Sequence, residues 1–191
     1  MSDTKEYIGQ FFEHSTFLNK AIPNREFEQC TFKNCDFSES QFISGKFIDC
    51  TFLNCNLSMV KLNHCQLNNI HFKECKLIGI NFSACLDFLF EVRFENCVLD
   101  YASFARKKMG KTAFLNTSMK NVDLSESDLT KATFTHADLN GALFDRTILK
   151  EADLTTAINY SIDPEQNNIK KAKFSLHGVA GLLHKYDITI E

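Results

Sequence analysis

Apolar residues recur at every fifth position of this chain. From Phe12 the beat passes through Phe17, Ile22, Phe27, Phe32, Phe37, Phe42, Phe47, Phe52, Leu57, Leu62, Leu67, Phe72 and Leu77 to Phe82 without a miss. Asp87 takes the next slot. After a two-residue insertion within residues 83–93, the beat resumes at Phe94 and continues through Leu99, Phe104, Met109, Phe114, Met119, Leu124, Leu129, Phe134, Leu139, Phe144 and Leu149 to Leu154. Two places before most beats stands a small residue, as at Cys30, Cys35, Ser40, Gly45, Cys50 and Cys55, and the positions between are mostly polar.

A period of five suits neither a helix, which repeats its face every 3.6 residues, nor a strand, which repeats every two. The pairing of a small residue with a large one two places later predicts a short extended segment, on which both point the same way. A corner after each segment must then absorb the remainder and turn the next segment toward the same interior. The chain is therefore predicted to wind as a coil around its own core, with Phe32, Phe37, Phe42, Phe47, Phe52 and Leu57 inside. Self-similarity at a fixed short period is the mark of a solenoid.

The beat also sets the boundaries. Residues 1–11 read as a leader or cap, with Phe11 and Phe12 covering the first coil, residues 12–156 as the coil itself, and residues 157–191 as a C-terminal capping segment. Residues 160–166 read as a turn out of the coil, and residues 168–174 as a last strand. Ser175 then offers an N-cap to a short helix carrying Leu176, Val179, Leu182, Leu183 and Tyr186 on one side. Gly178 and Gly181 weaken that helix, which needs packing to persist. At the register break, Leu86, Phe88, Leu89 and Phe90 are too apolar for a solvated loop. A bulged side that still buries its aromatics is expected, with an exposed contact patch as the alternative.

Composition sharpens the picture. The 191 residues contain 19 Phe and no Trp, so one side-chain size is used repeatedly, as a repeated slot requires. The eight cysteines, Cys30, Cys35, Cys50, Cys55, Cys65, Cys75, Cys85 and Cys97, all lie two places before a beat or before the Asp87 slot. Metal ligation and disulfides are the chemical readings, but the same phase is filled elsewhere by Ala, Ser and Gly, and no Cys-x-x-Cys pair occurs. A buried thiol acting as a small apolar plug accounts for the pattern, and no metal or cofactor is expected. The histidines are scattered, and no phosphate loop, nucleophile elbow or zinc-protease motif is present. A filled coil offers no concave site by itself, so an enzyme is not expected.

Residues 1–10 lack the basic start and apolar run of a secretory signal, and no stretch is long and apolar enough to span a bilayer, which predicts a cytoplasmic protein without membrane contact. A net charge of −3 does not favour direct binding of nucleic acid. Charge is uneven: residues 103–120 carry Arg106, Lys107, Lys108, Lys111 and Lys120 with no acid, whereas residues 121–165 carry nine acids against three bases.

The units Ala-Thr-Phe-Thr-His at 132–136, Ala-Asp-Leu-Asn-Gly at 137–141 and Ala-Asp-Leu-Thr-Thr at 152–156 resemble the pentapeptide-repeat family over roughly residues 12–156. The resemblance implies an all-β fold, a right-handed quadrilateral parallel β-helix of about seven coils with a short C-terminal capping helix. Cys35, Cys55 and Cys75, Cys30 with Cys50, and Asn34 with Asn54 recur at intervals of twenty, as stacked columns on four sides would. The mid-rod break, Leu-Asp-Tyr-Ala-Ser-Phe at 99–104 and Ile-Asp-Pro-Glu at 162–165 are similar to the quinolone-resistance and microcin-immunity members. That similarity implies a homodimer joined at the C-terminal ends and a non-enzymatic DNA mimic. Its partner would be DNA gyrase or topoisomerase IV, protected from quinolones or a toxin. The acidic face would then comprise Asp123, Glu126, Asp128, Asp138 and Asp145, since duplex DNA is itself a narrow rod with a negative charge about every 1.7 Å. An interaction scaffold or immunity module is the alternative. It would meet an unknown protein partner through the Arg106–Lys111 edge or the 86–90 break.

Overall fold

The computed structural model describes residues 4–189 and is a right-handed parallel β-helix with four sides. Each pentapeptide supplies one side, and successive coils stack in parallel register. The first side begins with strands Lys5–Ile8, Arg25–Glu28, Lys46–Ile48 and Gln66–Asn68. The second is an uninterrupted sheet of nine strands, from Phe11–Glu13 at one end to Lys173–Phe174 at the other. The third is held by single-residue bridges such as Thr16 to Asp36 and Ser118 to Asp138. The fourth begins with Ala21–Pro23, Gln41–Ile43 and Lys61–Asn63 and continues through bridges from Asn81 to Leu143.

Partners lie twenty residues apart, as in Phe32 with Phe52, except across the break, where Ile70 pairs with Val92. The extra two residues are therefore absorbed between those strands, and the inward phase survives. Eight steps of about 4.8 Å along the second side give a rod of roughly 40 Å. The stack has about eight turns rather than seven, because Tyr7 already forms a position below Phe27, and Ile169 and Phe174 continue the wall beyond the last regular beat.

The interior is a set of columns. Phe32, Phe37, Phe42, Phe47, Phe52 and Leu57 are all buried. On the second side Phe12, Phe32, Phe52, Phe72, Phe94, Phe114 and Phe134 stack ring on ring, with centroids 4.7 to 5.4 Å apart. Edge contacts between neighbouring sides, such as Phe32 with Phe37 at 5.4 Å, lock the columns together. The eight thiols are free, buried and reduced, and each donates to a main-chain carbonyl one coil back, as Cys55 Sγ does to Phe32 O at 3.4 Å.

The corners follow a rule that glycine content does not reveal. The residue two after a beat sits in the left-handed region, at φ 53° for Asn34 and 67° for Lys111, and among the described residues twenty-eight non-glycine residues hold positive φ. Asparagine takes eight of these corners, where its short amide tolerates the left-handed conformation and links coils, as in Asn54 to Asn34 at 2.8 Å.

At the C-terminal end, the expected capping helix is two 3₁₀ turns, Val179–Leu182 and His184–Tyr186. Ser175 caps the entry, its Oγ accepting from Gly178 N at 3.0 Å. A regular helix is replaced because Gly178 and Gly181 press directly against Tyr160, and a Cβ on either would overlap that residue. The glycines thus let the cap close on the last coil, where Ile162 N donates to Gly181 O at 3.0 Å. At the other end, Phe12 is a partly buried core ring, but Phe11 points outward and covers nothing. The parts of the expected leader and tail at residues 1–3 and 190–191 lie outside the described residues.

Candidate interaction surfaces

The five acids expected to form one face occupy three sides of the rod. Asp123 bridges on the fourth side, with Asp145 following Phe144 on that side. Glu126 sits at the adjoining corner, Asp128 bridges on the first side and Asp138 on the third. Each has a local role. Asp123 Oδ1 accepts from Ser125 N at 3.0 Å, Asp128 Oδ1 from Thr130 N at 2.9 Å, and Asp138 Oδ1 from Asn140 N at 3.2 Å. The same contact is made by Asn56 to Ser58 N and by Asn168 to Lys170 N. An Asx side chain before the beat therefore closes the turn after it, which explains the Ala-Asp-Leu pattern without reference to a partner.

Glu126 and Asp145 cap no turn but are paired. Arg146 reaches Asp145 at 3.0 Å and Glu126 at 3.3 Å, and Arg106 lies 3.6 Å from Glu126. Exposed pairs of this kind contribute little to stability. Asp138 is partly desolvated, which opposes ionisation, yet hydrogen bonds from Asn159 and Asn140 together with Lys120 hold its carboxyl below the ordinary carboxylate value. The acids face outward, but they form a belt over three sides of the rod.

The cap residues divide. Leu182 packs against the core and Leu183 is half-buried, whereas Leu176 is 86% exposed, and Val179 and Tyr186 also face outward. With exposed Ile158 and Ile188 they leave the C-terminal end apolar. Among the pairs that fasten the cap, Lys185 Nζ lies 2.8 Å from Asp163 Oδ1 and 2.6 Å from Glu165 Oε2.

The break differs from its expected burial. Phe90 alone turns inward; Leu86, Phe88 and Leu89 are 42%, 68% and 55% exposed. The reason is Lys107. It fills a small-residue slot on the first side, and its aliphatic stem and ammonium take the interior space that a second aromatic would need. A lysine in a packing slot carries no distinguishing signal in the sequence, where Lys107 reads as one more cation of the basic run 103–120. Among the described residues no three His, Cys, Asp or Glu side chains gather where a metal ion could sit. No helix among them is long and apolar enough to cross a membrane.

Comparison with known proteins agrees with this geometry. The family described as pentapeptide repeat region matches residues 25–86, and that described as pentapeptide repeats (8 copies) matches residues 111–146 and 123–158, together more than half of the chain. No curated protein matches the sequence. Among solved structures, a trypsin-treated form of QnrB1, a plasmid-mediated fluoroquinolone resistance protein, aligns with a TM-score of 0.71 at 15% identity, covering 99% of this chain and 100% of that one. A second trypsin-treated QnrB1 gives 0.63 at 16% identity, covering 98% of each. HetL, a pentapeptide repeat protein involved in heterocyst differentiation regulation in the cyanobacterium Nostoc, gives 0.69 at 16% identity, with 90% of this chain and 87% of that one covered. At such identities the likeness is one of fold.

Proposed function

The chain belongs to the pentapeptide-repeat family, and from that premise we propose that it is a non-enzymatic, cytoplasmic rod that binds a type II topoisomerase, DNA gyrase or topoisomerase IV, in place of DNA. The observation that carries this reading is the acidic stretch of the rod, residues 121–165, whose outward side chains bring nine acids against three bases onto a narrow scaffold. Duplex DNA presents negative charge on a rod of comparable slenderness, and a basic saddle that accepts one has reason to accept the other. The fold shared with QnrB1, a fluoroquinolone resistance protein, lends support. The eight free thiols suit a reducing compartment.

A homodimer joined at the C-terminal ends belongs to the same proposal. The apolar end formed by Leu176, Val179, Tyr186 and Ile188 is the kind of surface a second copy would cover. It would bring both acidic stretches near the centre of a longer rod. Light scattering should return about twice 21.8 kDa.

The decisive experiment is DNA supercoiling by gyrase, with and without a quinolone, in the presence of the protein. The charge must be altered without breaking the coil. Asp123→Asn, Asp128→Asn and Asp138→Asn keep a turn-closing amide, while Glu126→Lys and Asp145→Lys reverse charge where no turn depends on it. Supercoiling or drug inhibition that changes with the parent and not with the quintuple variant is expected; identical behaviour of gyrase with and without protein would reject the reading. A second reading, an interaction scaffold or immunity module for another protein, draws on the spread of the acids over three sides. A gyrase-silent protein would favour it.

A further inference from the structure

On the first side the wall of the rod opens. Gln66–Asn68 is the last strand of its sheet, and the side resumes only at Lys108, which bridges to Asp128. Between them residues 86–91 bulge outward, fastened at both ends: Leu86 N donates to Cys65 O at 2.9 Å and Glu91 N to Leu67 O at 3.0 Å. Lys107 ties the middle, through Asp87 at 2.7 Å and over the ring of inward-facing Phe90 at 5.0 Å. Leu86, Phe88 and Leu89 are therefore held in solvent by a tethered loop. A cluster of exposed large apolar side chains on a short, anchored segment marks a contact surface.

Beside this loop lies a cleft of about 480 Å³, lined in part by Asn69, Leu89, Glu91, Arg93, Gly110 and Lys111. Arg93 and Lys111 have no carboxylate within ion-pair distance among the described residues, and the same holds for the exposed Lys108 one coil above the loop. Glu91 is the one acid lining the cleft, so its rim is net positive.

We propose that the loop and cleft together receive an acidic peptide segment of a partner protein, one that carries a bulky apolar side chain next to its carboxylates. The apolar group would cover Phe88 and Leu89, and the carboxylates would meet Arg93 and Lys111, with Lys108 at the rim. Charge complementarity selects an anionic ligand, and Arg with exposed aromatics is the composition of energetic centres in protein interfaces. The concavity favours a chain segment over a lipid surface, which would engage the loop tip and leave the cleft empty. The site takes a ligand of opposite sign to the basic surface invoked above, so it stands independently of the topoisomerase reading.

The test is selection of a random displayed peptide library on the immobilised full chain, followed by fluorescence anisotropy with the selected peptides made synthetically. Peptides combining Asp or Glu with Phe, Leu or Trp are expected. Their affinity should fall about tenfold or more for Phe88→Ser with Leu89→Ser, and again for Arg93→Gln with Lys111→Gln. These side chains are exposed, and an unchanged thermal melt verifies that each variant folds; should the double variants fail, Phe88→Ser and Lys111→Gln alone serve the same comparison. Enrichment of peptides without acids, or affinities unaffected by either change, would overturn the proposal. So would loop-dependent binding to phosphatidylserine vesicles with no acidic peptide enriched, since that outcome assigns the loop to a membrane.

Discussion

Lys107 Nζ lies 2.7 Å from Asp87 Oδ1 across the register break, and the two side chains have opposite surroundings, 2% and 71% exposed. The lysine also donates to the carbonyl of Cys85. It is a charge carried inward in a column that also holds Gly45, Cys65, Cys85, Ser127, Thr147 and Asn167, and the bulge supplies its counter-ion from outside. Removing one partner of a desolvated pair costs more than replacing the charge by an apolar group, because the survivor is left uncompensated.

Asp87→Ala should therefore destabilise the protein by about 1–3 kcal/mol, a range set low because Asp87 itself faces water. Lys107→Met, which keeps the stem and removes the charge, should cost less than Asp87→Ala. Urea unfolding of the two variants checks the order, and the reverse order would show that the pair is not what holds the bulge.

Phe94 is sandwiched between Phe72 and Phe114, each 5.4 Å away, with essentially no exposure. Phe17 stacks on Phe37 alone, at 4.8 Å, in the partly open first coil. Phe94→Ala should cost about 3–5 kcal/mol, since the rigid walls above and below cannot collapse into the void. Phe17→Ala should cost clearly less. Equal losses in denaturant would mean that the columns do not bear the stability.

How far these features can be read from sequence depends on how many residue types satisfy each position. The inward beat is legible because only a large apolar side chain fills a column, so Phe32, Phe52 and Leu139 announce themselves by spacing alone. Corners are nearly silent: Lys111, Glu74 and His136 all adopt a left-handed φ that nothing about their chemistry signals. The break is half legible, since counting residues locates the insertion but not the lysine that displaces its aromatics. Gly178 and Gly181 read as helix weakeners, whereas their use is to let the cap touch Tyr160. The acids mislead in a similar way, because the Asp of Ala-Asp-Leu serves its own turn before it serves any surface.

Burial pushes the Cys50 thiol from an ordinary 9.0 to about 12, and Cys65 to about 11. In the folded state both stay protonated while the unfolded chain ionises, so the stability they contribute is complete below about pH 9 and drains away as pH rises toward 11 to 12. At pH 8 native protein should react with an aromatic disulfide reagent far more slowly than unfolded protein, which should release eight equivalents. Rapid labelling of Cys50 or Cys65 in the native protein would contradict the buried thiol columns.

Gly181 faces the carbonyl and ring of Tyr160 so closely that a methyl group has no room. Gly181→Ala should lift the cap at a cost of about 1–3 kcal/mol, the range for overpacking a filled site. The reporter is the amide of Ile162, bonded to Gly181 O, whose hydrogen exchange should accelerate while that of Phe94 on the central sheet stays unchanged. If the C-terminal ends form the dimer, the same variant should weaken it in light scattering.

Lys185 between Asp163 and Glu165 gives the cap its own pH range. The lysine holds both carboxyls below their ordinary values, chiefly by hydrogen bonding, and they in turn raise the lysine. Carboxyls depressed on folding contribute stability that is present above their unfolded values, near 3.8 and 4.5, and lost as pH falls through the folded ones. A raised lysine contributes stability that is full below 10.5 and lost as pH climbs beyond it. The cap should thus be docked from about pH 5 to pH 10 and loosen first in acid, by a modest amount because these groups are exposed. Tyr186, whose hydroxyl donates to Glu165 at 3.0 Å, supplies a ring signal for following the change by NMR. Lys185→Met should move the acid transition of that signal to higher pH while leaving the core melt in place, and a transition that does not move would show that Lys185 is not what depresses these carboxyls.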